Sequence, residues 1–338
     1  MIRTVVPFLF ALSAWLTVSV PLAAQPSAGE SFRVVGWNLE SGESDDDFLA
    51  AQVAKKKGVT VWGFSEVAGQ KTLDTLVNAA NKAGGKYAGV LGTTGGGDRL
   101  AIMFDTSRLT LASVEELKLI QLGSKNQRAP LVGHFKGKTT GKEFLFVVNH
   151  LSRDTSSPPK RVQQAKMLNA WVKDVPAKLP VVMVGDFNLD FHVTQGDAGK
   201  RDPGFDELTR DNRFVWARPA KLIKTNTASF NTVLDFVFVG NAPAGWSFDA
   251  RILNREDDKE ATSNKNFKDS KQATDHRPVD AVFTFSAATP GPAGGFPLAI
   301  PAVRDTTGKA DDPAAIRREI EALRQRLREL EERLNPQE

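Results

Sequence analysis

Six short polar clusters each border or interrupt an apolar run: Trp37-Asn38-Leu39-Glu40, Ser65-Glu66-Val67, Asn149-His150-Leu151, Gly185-Asp186-Phe187-Asn188, Leu234-Asp235-Phe236 and Thr274-Asp275-His276. Strands converging in a sheet would carry these ends to a common rim. Glu66, Asp275, Glu40 and the side-chain oxygen of Asn38 are hard oxygen donors. Mg²⁺ takes few such ligands and keeps water and substrate phosphate oxygens for the rest. A zinc site would draw on more His or Cys. The chain has no cysteine, and of its 4 histidines only His150 and His276 lie in the clusters. Either imidazole could stabilise charge on a phosphate or donate a proton, with Asp235 holding one of them in the useful tautomer. Asp186 could orient or deprotonate a water, and the Asn188 amide could hold that water or a phosphate oxygen.

Each cluster alone also has a plainer reading. Gly-Asp-Phe-Asn is made of turn residues and would serve as a turn after a strand. Asp275 could cap the segment before Pro278. A lone His150 could be a hydrogen-bonded rim residue, and Glu66 a strand-end surface carboxylate. Glu40 lies near Glu43, Asp45, Asp46 and Asp47 and could belong to a solvated acidic loop. The combination of clusters is what departs from chance.

The elements that must position them are legible from short runs rich in Val, Phe and Leu bounded by turn residues. Strands are expected at 32–37, 59–64, 100–104 (after Gly95-Gly96-Gly97), 131–135, 143–149, 181–184, 234–239 and 279–285. Helices are expected at 47–57, 70–83 and 159–172, with a weaker one at 204–210. Many strands with few helices suggest two packed sheets flanked by helices.

The 338 residues suffice for one large domain or two small ones, and the formal net charge of +4 leans mildly towards anionic partners. No Lys/Arg block announces nucleic-acid binding. Residues 1–24 read as a signal peptide: Arg3, an apolar run from Val5 to Val20, then Pro21-Leu22-Ala23-Ala24 as a cleavage region. A membrane anchor is the alternative, against which stand the shortness of the run and Pro7. The mature chain would be secreted or periplasmic, with no stable membrane insertion. Without cysteines it can form no disulfides. The main domain is expected over 31–286, followed by a Pro/Gly/Ala-rich linker at 287–312. In 313–335, Ile316, Ile320, Leu323, Leu327, Leu330 and Leu334 alternate spacings of four and three. That heptad seam could form a short coiled coil joining copies into a homo-oligomer, or fold back on its own domain.

In their order, Trp-Asn, Ser-Glu-Val, Asn-His-Leu, Gly-Asp-Phe-Asn, Leu-Asp-Phe-Val-Phe-Val and Thr-Asp-His-Arg-Pro-Val, the clusters resemble the endonuclease/exonuclease/phosphatase superfamily, which includes deoxyribonuclease I-like enzymes. The resemblance covers about Phe32 to Phe285 and implies a four-layer α/β sandwich: two mixed β-sheets face to face, helices outside, here with a C-terminal helical tail. It implies a Mg²⁺ site, with Mn²⁺ or Ca²⁺ as alternatives, drawing on Asn38, Glu40, Glu66 and Asp275, with Glu66 the principal ligand. It also implies catalytic roles for His150, Asp186, Asn188, Asp235 and His276. Asp186 and Asn188 would position the attacking water, Asp235 would partner an imidazole, and His276 would contact the scissile phosphate. Arg128, in Gln127-Arg128-Ala129-Pro130, resembles an Arg that reaches towards phosphate in some members.

The activity so implied is metal-assisted, in-line attack of water on phosphorus. The expected enzyme is a secreted phosphodiesterase, with nucleic acid as substrate: a nuclease acting on DNA or RNA. The alternatives are a phosphatase or sphingomyelinase-like phosphoesterase of the same fold, and a non-catalytic binding protein.

Overall fold

The computed structural model describes residues 31–285 apart from 124–125, 154–157, 228–230, 266 and 268–271. The signal peptide, the linker and the heptad segment expected from the sequence lie outside the described residues. The described chain runs β1 (Ser31–Asn38), α1 (Asp46–Lys55), β2 (Val61–Val67), α2 (Gln70–Lys82), β3 (Tyr87–Leu91), β4 (Arg99–Asp105), β5 (Leu109–Glu116), β6 (Leu131–Gly137), β7 (Glu143–His150), α3 (Pro158–Asp174), β8 (Val181–His192), α4 (Pro203–Thr209), β9 (Phe214–Trp216), β10 (Thr232–Gly240), β11 (Trp246–Ile252) and β12 (Val279–Phe285).

The strands form two six-stranded sheets, in the orders β11-β12-β1-β2-β4-β3 and β5-β6-β7-β8-β10-β9. Both are mixed: β1 with β2 and β7 with β8 pair in parallel, their neighbours antiparallel. The α/β sandwich implied by the resemblance is therefore the observed architecture. Every expected strand is present. The four unexpected ones, β3, β5, β9 and β11, are the four sheet edges. An edge strand buries less of itself and carries a weaker apolar signal; β5 is buried only at Leu109.

Between the sheets, Val34, Val61, Ile102, Phe146, Val148, Val184 and Phe283 are buried in one continuous core. A second core lies on the outer face of the first sheet, where Trp37, Trp62 and Phe64 meet Leu49 and Val53 of α1 and Leu73 and Leu76 of α2. Each such side chain contributes roughly 1.5–3 kcal/mol of transfer free energy. Gly63 lets the sheets close: a Cβ there would lie 2.4 Å from Val184 Cγ2 and 2.8 Å from Val148 Cγ2. The middle of β2 thus packs directly on β7 and β8, which carry His150 at the end of β7 and Asp186 midway along β8.

Helix starts follow local chemistry. Asp45 accepts from the Phe48 N–H as the cap of α1, with Asp46 and Asp47 in the first turn. The acidic run after Glu40 is thus largely a helix start rather than a solvated loop. Asp202 caps α4, and Pro203 begins it.

Candidate active site

Strand register brings the polar clusters together. Parallel pairing aligns Asn38 with Ser65, which sets Glu66 one residue past the pair. Parallel pairing of the second sheet places His150 beside Asp186, and the antiparallel neighbour places Asp235 on the other side of Asp186. Asp186 is therefore flanked within its own sheet by His150 and Asp235 and faced across the sandwich by Asn38.

Gly-Asp-Phe-Asn is not a turn after a strand, because β8 continues through it to His192. Gly185 has φ +136°, and a Cβ there would lie 1.9 Å from the Asn149 carbonyl oxygen. Only glycine fits. Asn188 has φ +50° and turns its amide back, Nδ2 donating to Leu151 O at 3.1 Å, while its backbone N–H donates to Asp186 Oδ1 at 2.9 Å. Glu40 and Glu66 also hold positive φ, 53° and 56°. Left-handed backbone at a glutamate costs roughly 1–2 kcal/mol, so both of these carboxylates are presented from strained backbone.

The centre is compact. Asn38 Nδ2 donates to Glu66 Oε1 at 2.8 Å and to Asp186 Oδ2 at 3.1 Å. His150 Nε2 lies 3.6 Å from Asp186 Oδ2 and 3.7 Å from Glu66 Oε1. His276 Nε2 lies 3.7 Å from the same Asp186 Oδ2, and its Nδ1 is 2.8 Å from Asp235 Oδ2. The loop carrying His276 is tied to β1: Trp37 Nε1 donates to His276 O, and Thr274 Oγ1 donates to Asn38 O.

Glu40 and Asp275 form their own pair at the edge of this cluster. Glu40 Oε2 accepts from the Asp275 N–H at 2.8 Å, and the Glu40 N–H donates to Asn38 Oδ1 at 2.9 Å. Asp275 Oδ1 reaches His276 Nε2 at 3.6 Å. Glu40 thus braces both Asn38 and Asp275.

One residue of the site escapes sequence reasoning. Asp98, at the end of the glycine-rich loop before β4, receives Arg128 Nη2 at 2.9 Å and lies 3.9 Å from His150 Nδ1. Arg128 Nη2 in turn lies 2.5 Å from His150 Nδ1. The loop is anchored by Glu116, which accepts from the backbone N–H and the hydroxyl of both Thr93 and Thr94. The available signal was three glycines followed by an acid at a strand start.

The two imidazoles differ in charge. Burial, with Arg128, His276 and Arg153 nearby, pushes His150 well below the ordinary histidine range, so it is neutral. Burial acts on His276 in the same direction, but Asp235, Asp186 and Asp275 outweigh it and hold His276 well above that range, as an imidazolium. Burial pushes Asp186 up to about 6, with His276 opposing and Asp235 adding to the rise. Asp98 is likewise pushed up to about 6 by burial, against the pull of Arg128.

The donor set fits a hard divalent cation on the Glu66 side. Glu66, His150 and Asp186 offer ligand atoms within 4.8 Å of one another. Two carboxylates share one amide there, and such crowding of negative charge calls for a cation or a proton between them. The neighbouring group of Asp186, Asp235 and His276 fits less well. Its imidazolium has no lone pair for a metal, and one Asp235 oxygen is committed to it.

Residues 47–196 match the model of the Endonuclease/Exonuclease/phosphatase family, as the order of motifs implied. No curated protein matches the chain. Among solved structures, a Bacteroides thetaiotaomicron endonuclease/exonuclease/phosphatase family protein is 20% identical, with TM-score 0.56, over 76% of this chain and 98% of its own. A B. thetaiotaomicron mannosyl-6-phosphatase is 20% identical, with TM-score 0.56, over 75% and 100%. Danio rerio TDP2, complexed with a single-strand DNA product, is 16% identical, with TM-score 0.58, over 75% and 99%. These likenesses concern the fold.

Proposed function

We propose that this Endonuclease/Exonuclease/phosphatase-family domain is a Mg²⁺-dependent phosphodiesterase that hydrolyses nucleic acid by in-line attack of water on phosphorus. One observation carries the reading: Asp186 Oδ2 is the common neighbour of the Asn38 amide and of the Nε2 atoms of His150 and His276, at 3.1, 3.6 and 3.7 Å. A carboxylate, a neutral imidazole and an imidazolium then address one reacting centre from different sides.

Asp186 orients the attacking water and takes up its proton. Asn188 has spent its Nδ2 on Leu151, so its Oδ1 is left to accept a hydrogen from that water. The His276 imidazolium, fixed by Asp235, donates from Nε2 to a phosphoryl oxygen as charge builds. Arg128, held by Asp98 beside His150, adds positive charge on the His150 side of Asp186. Glu66 and Asn38 would hold the metal, with Glu40 and Asp275 completing its surroundings. When bound, Mg²⁺ supplies Lewis-acid stabilisation of the phosphoryl oxygens and of the departing alkoxide.

The leader-like start of the sequence supports export, and the heptad pattern at 313–335 supports self-association. Among the described residues no helix is long and apolar enough to cross a membrane. The test is a substrate panel: plasmid DNA, RNA, sphingomyelin and sugar phosphates with Mg²⁺ and with EDTA. Nicking or degradation of nucleic acid that EDTA abolishes supports the reading; turnover of lipid or sugar phosphates alone would replace it.

A further inference from the structure

The row of side chains that starts at the active centre does not end there. Phe187, Leu189 and Phe191 are buried, so by strand alternation Asn188, Asp190 and His192 share the opposite face of β8. Register pairs Thr232 of β10 with His192. Beyond Asn188 this face opens into a recess of about 550 Å³ lined by Asp190, His192, Lys200, Asn231 and Thr232, with Arg201 and Asp202 in its wall. At about 3.3 Å per residue, Asp190 lies about 13 Å along the strand from Asp186. The recess therefore addresses a part of the substrate beyond the scissile phosphate.

Its chemistry is mixed. His192 Nδ1 accepts from the backbone N–H groups of Thr194 and Gln195, at 3.3 and 3.2 Å, which leaves the ring proton on Nε2 as a donor. Thr232 Oγ1 is buried and faces the Asp190 carboxylate. Asp190 offers an acceptor, Lys200 an ammonium donor and Asn231 an amide with both capacities. The wall is fixed independently: Arg201 pairs with Asp206 at 2.8 Å, and Arg161 with Asp202 at 2.8 Å. An isolated phosphate would meet the Asp190 carboxylate, and among the described residues no Phe, Tyr or Trp ring lines the recess. Hydroxyl groups, each a donor and an acceptor, match this alternation of acceptors and donors.

We propose that the recess binds a polyhydroxylated group, a sugar, in the part of the substrate distal to the scissile phosphate. The assignment of that sugar as part of the substrate rests on phosphoester hydrolysis at the adjacent centre.

The full chain with Mg²⁺ is assayed as wild type, Asp190→Ala and Lys200→Ala. The substrates are bis(p-nitrophenyl) phosphate, a diribonucleotide, its deoxy counterpart and a hexose phosphate. Loss of one or two hydrogen bonds to hydroxyls should lower kcat/KM for hydroxyl-bearing substrates by about tenfold relative to bis(p-nitrophenyl) phosphate, mainly through KM. A diribonucleotide favoured over its deoxy counterpart assigns the sugar to RNA, and a favoured hexose phosphate assigns it to a free sugar phosphate; either supports the proposal. Equal effects on every substrate would overturn it. Independently of turnover, D-ribose or D-mannose at millimolar concentration should shift the His192 ring resonances of the wild type and not of Asp190→Ala; unmoved resonances would overturn the site. Shifts without turnover of any phosphoester would uphold the recess as a sugar site and refute the hydrolytic reading instead.

Discussion

Asp235 Oδ2 lies 2.8 Å from His276 Nδ1, and both residues are buried. Pairing a buried carboxylate with a buried imidazole fixes the ring and favours its charged form, which turns an Nε2 proton towards Asp186. Asp235→Asn removes that charge and the preference for the imidazolium. It should lower kcat about a hundredfold or more, with His276 titrating at lower pH by NMR. An unchanged kcat would show that the pair is merely structural.

Glu66 is the carboxylate that the Asn38 amide holds towards Asp186. Glu66→Gln should weaken Mg²⁺ binding by at least about tenfold in calorimetric titration. It should also diminish any rise in Tm that Mg²⁺ gives the wild type. Undiminished affinity would place the ion elsewhere.

Gly185 has both a positive φ and no room for a Cβ. Gly185→Ala should cost at least about 2 kcal/mol in denaturant unfolding and reduce activity through the displaced Asp186. A cost below about 0.5 kcal/mol, the range of surface substitutions, would contradict the close approach to Asn149.

Lys56 gives a pH dependence remote from the site. The residue is 3% exposed, and its ammonium lies 5.3 Å from the Trp37 ring centroid and donates to Arg255 O. Burial brings its pKa down to about 8, against the pull of Asp258 and Asp257. The unfolded chain titrates near the ordinary 10.5, so between about pH 8 and 10.5 it binds more protons than the folded chain, and folded stability rises with pH. The wild type should gain about 3 kcal/mol relative to Lys56→Met across that window. A flat difference between the two would refute it.

The sequence disclosed the centre better than the sheet margins. Asp186, His150 and Asp235 could be read because each follows or interrupts a central strand whose Val and Phe residues are buried on both faces. The edges, such as β5 with its single buried leucine, carry little apolar signal. Asp98 was missed because its role depends on Arg128 and His150, which lie far from it in the chain and meet it only when β4 and β7 belong to facing sheets. The division of labour between the imidazoles was equally hidden. His150 and His276 are the same residue type, and only the guanidinium beside one and the carboxylates around the other set their charges apart. For Glu40 the sequence leaves a ligand and a loop acid open, and the fold adds a contact that neither reading contains: its carboxylate accepts the Asp275 N–H.

Water attack on phosphorus at Asp186 has a direct isotopic signature. Hydrolysis of a phosphodiester by the Mg²⁺-loaded chain in ¹⁸O-labelled water, followed by mass spectrometry of both products, tests it most directly. The label should appear in the phosphate-bearing product alone, and Asp186→Ala should reduce its rate of appearance about a hundredfold or more. Label in the released alcohol, or undiminished turnover by Asp186→Ala, would contradict the account.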